Sequence, residues 1–365
     1  MEEEGDDEQS GDGGGVANVS PWGGTTPILE SPLRRSAVPR KRWNLRRQRI
    51  ERCRDETVNA LSDFLPTLRR CIEDLTDTSA ETRALKALRS SPDRNERREE
   101  ERELWESVKV KAVTRMVATA KAHTILFLIL SVQVHLLGGR LFEEQMREQD
   151  ASSSLGADSM ASDRMTSYQS SHKLVLTRTY EFFFDKGLGL LVQCVERAVT
   201  TVMEPWDVTK PESMHVTAET FNEALVKIRS IVEGRTSRSH RTRSILRFLL
   251  PPEHAVGAVV PDDLAQSILD ETWDLLESPV FEDAHAECLS ATLDEMRERS
   301  WEKLFLDSAG ASVKVPLALV ITKLKGTSYT FYEPATDEGR TGCNKYVGSL
   351  QQLPSLLELG SVSFN

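Results

Sequence analysis

His285, Glu287 and Cys288 are the closest this chain comes to a catalytic pattern. In zinc deaminases a His-x-Glu step places a metal on the imidazole and moves protons on the carboxylate, but that chemistry also needs a PCxxC downstream. None follows, since Cys288 is immediately adjacent and the only later cysteine is Cys343. His285 and Cys288, at i and i+3, would need further metal donors that the spacing does not supply. Gly187-x-Gly189 lacks the third glycine and the preceding strand of a dinucleotide loop, so it reads as a close approach between helices. GxxxxGK[ST], GxSxG and HExxH are absent. The histidines stand singly, and His123 and His135 read as core residues of a helix. The expectation is a protein without catalysis, metal or cofactor.

What remains is a surface. Trp105 sits in RELWESVK, a densely charged stretch where an indole has little reason to be unless something covers it. Two readings stand side by side. A neighbouring helix of the same chain covers it, or it anchors a partner's amphipathic helix in a groove walled by Leu88 and Val108.

The elements that must position these residues are helices. The chain has 365 residues, a formal charge of −11 and 6% aromatics, enough for one large domain or two modest ones. Its acidity disfavours nucleic-acid binding, and the scattered, odd-numbered cysteines disfavour a disulfide framework. Met1–Glu8 carries six carboxylates where a secretory signal would be basic. Residues 1–33 are too poor in aliphatics to offset their ordering entropy and read as disordered. Arginines then crowd Arg34–Arg54, a solvated helix start or a contact for anionic lipid. With no aromatic beyond Trp43 among them, base stacking is not supported.

From about Trp43 the periodicity is helical. The first helix carries Val58, Leu61, Phe64, Leu65 and Leu68, with Pro66 expected to kink or break it. A short helix follows over about 78–89, then a long one over about 97–148. Trp105, Val108, Ala112 and Met116 share one face of the long helix. Its apolar second half is too short and polar for a membrane span, reading as a buried core helix of a soluble chain. Residues 150–170 read as a loop, 174–203 as a helix, 204–216 and 233–245 as loops around a helix at 221–232. Helices at 261–277 and 280–306 follow. Residues 313–324 read as a strand away from any sheet centre, because of Pro316, and 350–361 as a last helix. Without repeats or a βα rhythm, the fold class is all-α.

The segment LWESVKVKAVTRMVATAKAHTILFLILSVQVHLLGGRLFEE resembles the signature region of the peroxin-3 family, with its WEDLK-like helix start, TR step and apolar stretch ending in a GG pair. Cys53–Leu68, Leu85–Pro92, Ala224–Glu233, Leu269–Phe281 and Val313–Val320 are similar to further family segments in the same order, so that the likeness spans about 45–362. The resemblance implies a single twisted bundle of long helices over 43–365 behind a disordered tail, 1–42. It implies a docking protein of the peroxisomal membrane that receives peroxin-19, the carrier of newly made peroxisomal membrane proteins, by an amphipathic N-terminal helix. Carried over position by position, the groove would be Leu88, Trp105, Val108 and Leu141, with Trp105 as central anchor. Gly138 and Gly139 would be close-packing positions of the fold. The chain departs from the family at Glu101 and Leu319, where lysines are usual, and in lacking a recognisable N-terminal span. Either the arginine cluster holds the membrane peripherally or this N-terminus is not the usual one; the second reading is preferred.

Overall fold

A helix buried on nearly every side lies inside other helices, and the chain from Val108 to Gly139 is such a segment. The computed structural model describes residues 37–90, 97–151, 158–210, 215–234, 247–249, 263–308, 310–332 and 345–365. The chain divides into two units, Met1–Asn44 and Leu45–Asn365; the start of one helix is described in the first, and the second carries the architecture below. The expectation of disorder over 1–33 and the basic segment 235–243 lie outside the described residues.

The helices are α1 (Ala37–Leu75), α2 (Ser79–Arg89), α3 (Arg98–Ala151), α4 (Asp158–Phe182), α5 (Leu188–Met203), α6 (Ala218–Glu233), α7 (Asp263–Leu276), α8 (Pro279–Met296), α9 (Leu317–Phe331), α10 (Lys345–Leu350) and α11 (Pro354–Ser363). A π turn, Phe183–Gly187, joins α4 to α5, and short strands β1 (His215–Val216) and β2 (Val315–Pro316) pair antiparallel. The long helix α3 runs 54 residues, and α2, α4, α5, α7, α8, α9 and α11 all pack on it. By length and composition it could cross a membrane, yet 78% of its most apolar window is buried by the rest of the fold. It is the core's axis, and the all-α expectation holds.

Polar side chains within this axis are placed at the ends of its neighbours. Lys109 is fully buried and donates to the carbonyls of Met203 (2.8 Å) and Trp206 (2.6 Å) at the end of α5, and to Glu106 (2.6 Å). Arg115 donates to Thr76 Oγ1 (2.9 Å) and Thr76 O (2.7 Å) just past α1. Lys121 pairs with Glu233, the last residue of α6, at 3.4 Å. Each cation thus sits where a helix dipole is negative and carbonyls lack partners.

The structure corrects several expectations. Pro66 does not break α1. Losing a turn's hydrogen bond costs about 3 kcal/mol, whereas burying Leu61, Leu65, Leu68 and Ile72 contributes about 1.5–3 kcal/mol each. The loop expected to 170 is helical from Asp158. Where its side chains are described, the buried face is made of Ser171, His172, Val175, Thr179 and Tyr180, a helical spacing written largely in polar residues. The strand expected over 313–324 is a two-residue strand followed by α9, in which Leu317, Val320, Ile321 and Leu324 are buried at i, i+3, i+4 and i+7. The helix expected to run to Leu306 stops at Met296 and continues as a π turn and a 3-10 turn. Pro354 divides the last helix into α10 and α11.

Candidate functional site

The best-defined surface site is the corner where α2 meets the start of α3. Ser79 begins α2 by giving its N–H (2.9 Å) and hydroxyl (2.7 Å) to Asp77, and these bonds hold the Asp77 carboxyl below its ordinary value. Two turns on, Leu85 and Leu88 are buried at i and i+3. Glu81 fastens α2 to α3, accepting from Lys111 Nζ at 2.5 Å and Ser107 Oγ at 3.1 Å. Burial pushes the Glu81 carboxyl up, but those bonds outweigh it and the net shift is downward. The Arg89 guanidinium lies 5.7 Å from the centre of the Trp105 ring, which brings the end of α2, and Leu88 with it, to the Trp105 turn. One turn deeper, Val108 is buried in the core.

Trp105 is half-buried, its body packed on the main core. Neither reading of it is excluded by a cover, for it is not fully shielded. α9 touches α2 through Lys325, which donates to Thr82 at 2.9 Å. Glu101 is half-buried one turn ahead of Trp105, and Leu319 of α9 is 45% exposed, an apolar side chain left open to solvent.

Leu141 is not brought to this corner. It follows Trp105 by 36 positions on the uninterrupted α3, and at 1.5 Å per residue that is about 54 Å away. It lines a cavity of about 420 Å³ between α3, α4 and α7, with Arg140, Tyr168, Leu264, Ile268 and Glu271. Arg140 and Glu271 form a close ion pair there. Gly138 and Gly139 lie just before it. A Cβ on Gly138 would overlap Cys53 Sγ, and one on Gly139 would overlap the backbone carbonyl of Phe364. Gly187 is likewise pressed against the Phe248 carbonyl, while Gly189 faces open space. The close approach read from this glycine pair therefore applies to Gly187 alone.

The His285, Glu287, Cys288 group has another use. Glu287 accepts from the N–H (3.2 Å) and hydroxyl of Ser355 in the first turn of α11, where unpaired helix N–H groups favour a carboxylate. His285 and Cys288 are buried, and desolvation first of all holds the imidazole well below its ordinary pKa. Burial raises the Cys288 thiol to about 12, making it a poor nucleophile. Among the described residues no three His, Cys, Asp or Glu side chains converge as a metal group.

Sequence reasoning passed over Arg89, Lys109 and Lys325. Arg89 was recoverable as a cation in the last turn of α2, whereas the partners of Lys109 and Lys325 are distant in sequence.

Comparison with known proteins takes in five of the six collinear segments, all but Cys53–Leu68. Peroxisomal biogenesis factor 3 of Rattus norvegicus is 26% identical over 283 residues, covering 72% of this chain and 70% of its own. The protein of that name from Homo sapiens is 26% identical over 284 residues with the same coverage. The Peroxin-3 family model matches residues 69–364, from the end of α1 to the close of α11. This match takes in the α2–α3 corner, the glycine pair and the whole axis of the fold, and the chain belongs to the Peroxin-3 family.

Proposed function

We propose that the α2–α3 corner is a docking groove for the amphipathic N-terminal helix of peroxin-19, through which newly made peroxisomal membrane proteins are brought to the membrane. Membership of the family assigns the chain to peroxisome biogenesis and to the peroxisomal membrane. The observation that supports the finer reading is Trp105: a half-buried indole between an apolar wall, Leu88 and Val108, and a guanidinium. Central, partly shielded tryptophans flanked by aliphatics are the residues that carry helix-in-groove affinity. The groove is assigned to Leu88, Trp105 and Val108, and Leu141 is left out on distance. The role is that of a receptor rather than an enzyme.

Titration calorimetry with the N-terminal helix peptide of the same organism's peroxin-19 tests the reading. Trp105→Ala is expected to lower affinity roughly thirtyfold, the equivalent of about 2 kcal/mol, with an unchanged circular dichroism spectrum. A folded wild type that does not bind the peptide would refute it. For the membrane, exposed Arg47 and Arg52 of α1 are the candidate contacts to anionic lipid, at about 1 kcal/mol each near such a surface. Equal sedimentation with anionic and neutral vesicles would remove that contact.

A further inference from the structure

We propose that this corner selects a helix with an acidic flank and that Arg89 is the residue that reads it; the inference rests on the docking function above. Thr82, Lys86 and Arg89 recur on α2 at i, i+4 and i+7, so they form one flank beside the buried Leu85 and Leu88. Lys325 of α9 donates to Thr82 at 2.9 Å, at the start of that flank. The flank then carries Lys86 and Arg89, both cationic.

Several other cations of the corner are committed. Lys111 is held by Glu81, Lys109 by Glu106 and two carbonyls, Arg97 by Glu100, and Arg102 by Glu99. Lys86 and Arg89 are exposed and make no ion pair among the described residues. What holds Arg89 is the face of Trp105, a weak grip at an exposed position.

The start of α3 is charge-balanced. Glu99, Glu100 and Glu106 pair with Arg102, Arg97 and Lys109, and Glu101 stands half-buried one turn before Trp105. A helix lying on Trp105 thus meets exposed cations along its α2 side. Carboxylates turned toward α2 gain a fork of guanidinium donors, and the indole beneath and the occupant above exclude water from that contact. Carboxylates turned toward α3 find its cations already paired. The exposed cations of α2 select an occupant whose acidic flank faces α2.

The test is calorimetry of full-length wild type, Arg89→Glu, Arg89→Lys and Trp105→Ala at about 50 mM and about 300 mM salt. Two probes are used: the peroxin-19 peptide, and the same peptide with every Asp and Glu changed to Asn and Gln. Arg89→Glu is expected to weaken the native peptide at least roughly tenfold at low salt and much less at high salt. Arg89→Lys should keep most of the salt dependence, and the neutralised peptide should bind wild type and Arg89→Glu alike. Native-peptide binding indifferent to Arg89→Glu, or an equal loss with both peptides, overturns the inference. If binding remains sensitive to Trp105→Ala in that event, the docking function stands and the charge reading alone falls. A folded wild type that binds neither peptide removes both.

Discussion

At the scale of single residues, the glycine pair and Trp105 do different work on one helix. Gly139 has no room because the obstacle is the backbone of Phe364, which cannot rotate away. Gly139→Ala should therefore destabilise the fold by about 1–3 kcal/mol, the range for overpacking a tight contact, read as a lowered denaturation midpoint. Gly138 meets a removable atom, Cys53 Sγ. Gly138→Ala should be destabilising alone and substantially rescued by Cys53→Ala; additive losses in the double variant would disprove the contact. Neither change should alter peptide affinity per folded molecule, since this pair lies more than thirty residues from Trp105 on an unbroken helix. The pair was legible as a packing site because a double glycine in an apolar run has few other uses. Its partners were not, because Cys53 and Phe364 come from the far ends of the domain.

At the scale of elements, the ends of α1, α5 and α6 are held by Arg115, Lys109 and Lys121 of α3. A buried carbonyl deprived of its donor costs about 1–3 kcal/mol. Lys109→Met, which keeps the stem and removes three donors, should lower stability by at least that much in denaturant titrations. Hydrogen exchange should speed up first at the end of α5, around Met203. Exchange that rises uniformly across the bundle would deny Lys109 this local role. The helices themselves were legible wherever aliphatics repeat at three and four, as in α1, α2 and α3. They were misread where the buried face is polar, as with Ser171, His172 and Thr179 of α4, or where β-branched residues fill a helical spacing, as in α9. In both cases tertiary packing overrode local propensity.

At the scale of the molecule, the axis of the bundle encloses titratable groups that stay neutral. Desolvation lowers His123 to about 3 and His135 and His172 to about 4, from an ordinary 6.5. His135 receives partial compensation from the Ser131 carbonyl at 2.7 Å and His172 from the Gln133 carbonyl at 2.9 Å. The unfolded chain takes up these protons near pH 6.5, while the folded chain resists until about 4. Folding stability is thus fully present above pH 6.5 and falls as pH drops from there to about 4. Thermal midpoints should be flat above that window and decline within it. His172→Gln should flatten the decline by roughly one proton's worth of slope, and an identical slope in the variant would show that His172 is not a contributor.

The sequence by itself determined the all-α class, the run and the buried face of α3 and, through collinear segments, the family. These are local or near-local properties: helical period, the length of an apolar stretch, motif order. Only the tertiary structure set Leu141 apart from Trp105. Arg89 of α2 reaches the Trp105 ring where the Glu81–Lys111 pair fastens α2 to α3. Leu141 stays apart because α3 runs without a break, and a rigid helix converts separation along the chain into distance in space. The same fold left Arg89 over the indole and brought Lys325 of α9 to Thr82.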